Sequence, residues 1–325
     1  MVHPRGPRSA FLLEHLARPV HELPLLPDAD DDPLAGEDTQ LLLYLCYELH
    51  YRGLPGVDDG WEWEPTLLAA RARVEAEFDA AIREAAGGGP RPPDLSVVVA
   101  LKELLTSAAG PSLSRYMVER GTLDQFREFA VHRSAYQLKE ADPHTWAIPR
   151  LSGRAKSALV EIQADEYGGG QPGESHAELF AATMVALDLD PAYGAFLDRI
   201  PAPTLATVNL ISSFGLHRRW RGALIGHLAA FEMTSVEPMG RYAAAARRFG
   251  LPDAAAWFYD VHVLADAHHQ EVAATDLAGG LAESEPGLAA DILFGARALM
   301  AVEERFARHL LDAWTAGRSS LRPPD

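Results

Sequence analysis

The side chains best suited to chemistry lie in residues 257–270, read W-F-Y-D-V-H-V-L-A-D-A-H-H-Q. The stretch holds no Pro or Gly and follows Pro252, Asp253 and Ala254, which suit a helix start. On a helix, His262, Asp266 and His269 stand at i, i+4 and i+7 and share one stripe. Phe258 precedes them by a turn and Ala273 follows, so the stripe is apolar at both ends and is expected to face inward. Two imidazoles and a carboxylate are costly in an apolar interior unless something satisfies them. A divalent metal ion would. A lone histidine on such a face is more often a core residue with a hydrogen-bond partner. Three metal-type ligands at this spacing make an ion as good a reading as a core histidine. His268 lies off the stripe and is expected to face solvent.

Further ligands come from other helical stripes. In residues 152–167, Ala155, Ala158, Leu159 and Ile162 form an apolar stripe that Glu166 continues, while Glu161 and Asp165 fall on a solvated face. His176 begins the next helix on a stripe with Phe180, Thr183 and Leu187. The intervening Gly168–Gly170 run followed by Gln171, Pro172 and Gly173 lets the two helices lie antiparallel and brings Glu166 near His176. It is no phosphate loop, since no strand precedes it and no G-K-[ST] follows. Leu224, Ile225 and Leu228 define a stripe that Glu232 continues. Glu140 shares a face with Phe126, Phe129 and Tyr136, interrupted by Arg133, and is an optional addition that could equally pair with that arginine. Mixed carboxylate and imidazole ligation suits iron or manganese. Carboxylates can bridge two cations, and helix bundles are a known frame for such sites.

The elements that must position these ligands read as helices throughout. Residues 1–36, rich in Pro and Asp, are expected to form an extended or partly disordered arm with one apolar turn. Residues 37–93 are expected to be a helical extension packing on the core, with helices over 41–51 and 65–86 and a loop carrying Trp61 and Trp63. Residues 94–317 form the ligand-bearing domain, with helices over 94–107, 112–120, 122–140, 152–167, 175–187, 203–235, 238–249, 254–275 and 286–316. Gly215, Gly222 and Gly226 are expected bend points in the long helix over 203–235. His144, Trp146 and Arg150 sit in a Pro-bounded connector, and residues 318–325 form a tail. No strand alternation and no internal repeat is present, so the fold class is all-α.

The bulk properties exclude several functions. The 325 residues are 48% hydrophobic and 23% charged, as in a globular chain with a sizeable core. A net charge of −17 without a basic stripe argues against nucleic acid or an anionic membrane as partner. The single cysteine, Cys46, rules out an internal disulfide and a Cys-based zinc or iron–sulfur site, and its setting reads as core. With no signal peptide and no apolar run long enough to span a bilayer, a cytoplasmic protein is expected.

The segments E-I-Q-A-D-E-Y-G-G-G-Q-P-G-E-S-H-A-E-L-F (161–180) and H-V-L-A-D-A-H-H (262–269) resemble the haem-oxygenase-like diiron oxidases and oxygenases, a family of iron-containing redox enzymes. In that family a Glu is followed ten residues later by a His, then by a Glu on a later helix, then by His-x3-Asp-x2-His. Glu166 and His176 match the pair, Glu232 the middle Glu, and His262, Asp266 and His269 the triplet. Glu140 is placed like an extra carboxylate that some members carry. The resemblance spans about residues 95–317. It implies a haem-oxygenase-like bundle of about seven core helices, two Fe(II) ions, and activation of O2 for N-oxygenation, desaturation or oxidative C–C cleavage of a small organic substrate. By analogy, Glu166, His176 and His269 would hold one ion, and Glu232, His262 and Asp266 the other. Tyr136, Tyr167 and His227 are candidates for the surroundings of the ligands. The expected partners are the substrate and O2, with room for an external electron donor and for a homodimer.

Two other readings use the same chain. A haem-oxygenase-like bundle can bind small molecules or act as an enzyme without metal, because fold does not fix function; the six ligand types argue against that here. Trp61 and Trp63 could instead mark an interaction surface, although loop tryptophans more often pack on their own domain. Haem oxygenase activity itself needs a proximal histidine near the start of the first helix, and the first strong helix offers only His50, at its end.

Overall fold

The computed structural model describes residues 2–107 and 109–323, and every regular element among them is helical. The chain opens with α1 (Pro7–Leu16), α2 (Glu37–Glu48) and α3 (Pro65–Ala85). Next come α4 (Val97–Thr106), α5 (Leu113–Glu119), α6 (Leu123–Gln137) and the one-turn α7 (Asp142–Thr145). The ligand-bearing part comprises α8 (Gly153–Glu166), α9 (His176–Ala186), α10 (Ala202–Leu216), α11 (Arg221–Arg248) and α12 (Asp253–Glu271). A π-helical segment (Val272–Gly279) leads from α12 to α13 (Gly280–Ser284), and α14 (Ala289–Thr315) closes the bundle.

The longest helix, α11, is the axis of the packing. It lies against α12, α14, α5 and the π-helical segment, while α9 packs on α12 and α8 on the π-helical segment. α11 and α14 cross backbone to backbone. A Cβ on Gly226 would fall 1.7 Å from the Ile292 carbonyl oxygen, and one on Gly295 would fall 1.9 Å from that of Ala223. Only glycine allows that approach. Leucines of α1 and α2 share one continuous apolar core with α10, α11 and α14.

The arm expected over 1–36 is corrected by α1. Its first backbone N–H groups need acceptors, and Asp38 of α2 supplies them, taking N–H bonds from Arg8 at 2.8 Å and Ser9 at 2.7 Å. Leu12 and Leu16 are buried beneath. The cap comes from another helix, so no local window of sequence displays it. The acidic run 28–32 is ordered in part by its own turns: Asp32 accepts from the N–H groups of Leu34 and Ala35, and Asp31 from that of Thr39.

The helix expected over 203–235 is also corrected. The chain breaks between Leu216 and Arg221, where His217 is extended and Arg218–Trp220 form a single tight turn. Gly222 and Gly226 are sites of close approach, not bends. α11 then runs through Pro238 to Arg248, where a separate helix over 238–249 was expected. A proline inside a helix costs about 3 kcal/mol. Burial of Tyr242, Ala243, Ala245 and Ala246 beyond it holds the helix together.

Trp61 is fully buried, and its indole N–H donates to the Arg18 carbonyl, whereas Trp63 is 67% exposed. Cys46 is a core residue whose thiol burial pushes up to about 12. The described part of the tail docks on the bundle: Ser320 Oγ donates to Glu128 at 2.6 Å. Residue 1 of the arm and residues 324 and 325 of the tail lie outside the described residues. No described helix is long and apolar enough to cross a membrane.

Candidate metal centre

Four helices and one strained corner carry the centre. Glu166 is the last residue of α8 and His176 the first of α9. Ser175 caps α9 in a reciprocal capping box with Glu178, which fixes where that helix begins. The turn between them needs glycine at 168: its φ is +63°, and a Cβ there would fall 2.4 Å from the Glu174 carbonyl carbon. The result places Glu166 Oε2 2.8 Å from His176 Nδ1. Glu232 comes from α11, and His262, Asp266 and His269 come from one buried stripe of α12. The π-helical segment starts three residues after His269, an irregularity often found at functional sites.

Glu140 arrives differently. α6 ends at Gln137, so Glu140 lies in the turn beyond it. The next residue, Ala141, has φ +73°, a conformation that costs a non-glycine residue about 1–3 kcal/mol. Gln163 donates to the Ala141 carbonyl at 2.9 Å and Gln137 to the Glu140 carboxylate at 3.3 Å. The corner therefore holds the Glu140 carboxylate inward, 3.6 Å from His262 Nε2, with its side chain 9% exposed. Arg133, expected as a rival partner for Glu140, instead forms a two-pronged pair with Glu303 of α14.

The ligand atoms fall into two groups that share one residue. Glu140, Glu166, His176 and His262 offer atoms all within 4.8 Å of one another, and Glu166, Glu232 and His269 do the same. Asp266 stands beside the second group, 3.8 Å from His269 Nδ1. The groups differ from the split expected by analogy: His262 lies with His176 and Glu140, and His269 with Glu232. Hydrogen bonds fix which nitrogens are free to ligate. His262 Nδ1 donates to the Phe258 carbonyl at 2.8 Å, which leaves Nε2 for the centre. His269 Nε2 donates to Asp165 at 2.9 Å, which leaves Nδ1.

The donor set fits a cation. Glu140 Oε2, Asp266 Oδ1 and His269 Nδ1 are buried without a hydrogen-bond partner, and Glu166 Oε2 and His176 Nδ1 have only each other, 2.8 Å apart. Each unpartnered atom costs about 1–3 kcal/mol. Electrostatics show the same crowding. Burial, then the carboxylates of Asp266 and Glu166, push the Glu232 carboxyl well up. Burial also pushes Glu140 up, partly offset by His262. Burial would raise Glu166, but His176, His262 and His269 outweigh it and hold that carboxyl at about 2. Burial would lower His262, but Glu140 and Glu166 outweigh it and raise the imidazole to about 10.

A family model described as iron-containing redox enzyme matches residues 127–304. The chain belongs to that family. Its matched part runs from within α6 to α14 and contains all the candidate ligands. A search of curated proteins finds no match to the chain.

Around the centre of this iron-containing redox enzyme, the other candidates are structural neighbours. Tyr136 stacks on Phe231 at 5.8 Å. His227 Nδ1 lies 3.3 Å from His144 Nε2 in a buried imidazole pair. Tyr167 donates to Asp142 at 2.8 Å. Arg150 caps the end of α10 through the carbonyls of Gly215 and Leu216, and Trp146 stacks on Tyr51, so that connector braces helices. His268 is exposed and pairs with Glu161, as a solvated face requires. Sequence reasoning missed Asp165. Its side chain is 57% exposed, yet one oxygen orients His269. Its position directly before Glu166 places it one helical step from the ligand stripe, which is the only signal the sequence offers.

Proposed function

We propose that this iron-containing redox enzyme is a non-haem diiron oxidase or oxygenase acting on a small organic molecule. The observation that carries the reading is the pair of candidate groups sharing Glu166, with buried atoms of Glu140, Asp266 and His269 left without hydrogen-bond partners. Iron bound there would supply the electrons that reduce O2, chemistry no side chain provides. Glu140, His176 and His262 would hold one ion, Glu232 and His269 with Asp266 the other, and Glu166, a member of both groups, would contribute to the site.

The chain's own work is to fix geometry and exclude water. The Phe258 carbonyl and Asp165 hold the two α12 imidazoles in one tautomer each. Phe258 and Phe180 pack edge-on beside His176 and His262, and the Tyr136–Phe231 stack lies nearby. An apolar wall of this kind keeps bulk water from a reactive centre. Where a substrate does not supply every electron O2 requires, an external electron donor would be a further partner. N-oxygenation, desaturation and C–C cleavage all draw on this one centre.

The test is oxygen uptake. Protein loaded with Fe(II) under anaerobic conditions is mixed with oxygenated buffer, with and without a panel of small amines, acids and amino acids. O2 consumption that one compound accelerates, and that His262→Ala abolishes, is expected. Fully loaded protein that consumes no O2 with any of them overturns the reading.

A further inference from the structure

A cleft of about 410 Å3 opens beside the centre, with Glu140 in its lining. Of the cations along it, Lys139 is already engaged: its ammonium donates to Glu48 at 2.8 Å and both side chains are buried. Arg52 is not. Its guanidinium lies 4.3 Å from the centroid of the Tyr193 ring, and Nη2 donates to the Leu138 carbonyl at 3.0 Å. Among the described residues no carboxylate forms an ion pair with it. Three acids share the cleft, Glu140 of the centre among them, and the other two are each hydrogen-bonded within the protein. Glu178 is engaged by the N-cap of α9, accepting from Ser175 Oγ. Asp142 accepts from Tyr167 at 2.8 Å.

The guanidinium is held before any ligand arrives. Arg52 sits in the turn after α2, closed by the Gly53 N–H donating to the Glu48 carbonyl at 3.0 Å. Its neighbour Tyr51 is fixed by a hydroxyl contact to Ser212 at 2.9 Å and by stacking on Trp146 at 4.6 Å. A preorganised guanidinium with free N–H groups, on an aromatic face, matches a carboxylate in geometry and charge.

We propose that this cleft binds the substrate, and that Arg52 anchors a carboxylate group of a small organic molecule whose other end reaches toward Glu140. The inference rests on the diiron reading for what happens at that far end, but not for the anchoring. It also gives the region before the family match a role in binding. Arg52 precedes residue 127, so the N-terminal extension supplies the anchor.

The test compares two acids with their alcohols, hexanoate with hexan-1-ol and phenylacetate with 2-phenylethanol, by ligand-detected NMR titration. Wild type, Arg52→Ala and Arg52→Lys are each measured metal-free and after anaerobic Fe(II) loading, with iron content recorded. At least one acid should bind at least about tenfold more tightly than its alcohol, the scale of a charge-assisted pair. Arg52→Ala should erase the preference in the metal-free protein too, and Arg52→Lys should retain part of it. No preference for either acid, or a preference that survives Arg52→Ala, overturns the proposal. A preference seen only with iron and indifferent to Arg52 also overturns it, because the acid is then bound by metal. An Arg52-dependent preference in protein that takes up no iron supports the anchor and counts against the diiron reading alone.

Discussion

Lys139 and Glu140 are adjacent in the chain and enter two buried charged regions built on opposite terms. Lys139 turns toward α2, where its ammonium donates to one oxygen of Glu48 while the Tyr193 hydroxyl donates to the other. The same ammonium lies 4.1 Å from the Tyr51 ring centroid and 4.9 Å from that of Tyr44. Both charges there are answered within the protein. Glu140 turns the other way, into a set of carboxylates and imidazoles in which Glu140 Oε2, Asp266 Oδ1 and His269 Nδ1 have no hydrogen-bond partner. Both sides are buried, so burial alone does not mark a functional site. What marks it is polar capacity the fold leaves unused, held by a strained residue, Ala141, that a purely structural turn does not need.

The sharpest break of this contrast is Lys139→Met. It leaves the Glu48 carboxylate buried and unpaired, so stability should fall by about 3–5 kcal/mol, read as a urea midpoint, with iron content per folded chain unchanged. A loss below about 1 kcal/mol would show that the pair is not the closed unit described. Next in size is Glu140→Ala. The group with His176 and His262 should lose iron affinity by about 10–100-fold, while the group with Glu232 and His269 keeps its ion, as seen in anaerobic equilibrium dialysis. Unchanged affinity of both ions would remove Glu140 from the centre.

Glu232→Gln sharpens the comparison in the opposite direction. Three carboxylates crowd that spot in the absence of metal, and relieving one should stabilise the metal-free protein by about 1 kcal/mol while weakening iron binding. A destabilised metal-free variant would show that the crowding is already relieved by other means. The smallest effect concerns Glu75, a buried carboxylate answered from within. Burial would raise its carboxyl, but His217 at 2.9 Å and Arg71 at 3.2 Å outweigh it and hold the group below the ordinary value of 4.5. A carboxyl lowered on folding stabilises fully above its unfolded value and loses that contribution as pH falls through the folded one. Wild type should therefore lose stability more steeply than Glu75→Gln as pH drops below 4.5. Parallel acid profiles would contradict this.

The ligand stripe on α12 was legible because a helix converts spacing directly into a shared face, and His262, Asp266 and His269 obey that rule. Glu166 and His176 were legible because each continues or begins an apolar stripe and a glycine turn stands between them. Glu140 was half legible: its helical register pointed inward, yet the helix stops before it and the inward aim comes from Ala141. The grouping of ligands was not legible, since it depends on how α9 and α11 meet α12 across the bundle. The same holds for α1, whose cap comes from Asp38, and for Asp165, whose exposed side chain reads as solvated until its partner is seen. Local periodicity carries what one helix can decide, and contacts between helices carry the rest.

The central claim is that Glu166 belongs to both groups of a site for two ions. Anaerobic Fe(II) titration of metal-free protein, with bound iron counted after equilibrium dialysis, tests it directly. Wild type should bind two Fe(II) per chain, and Glu166→Ala should weaken both sites together because each group loses a member. Wild type that saturates at one ion or none, or Glu166→Ala that still binds two with wild-type affinity, would contradict it.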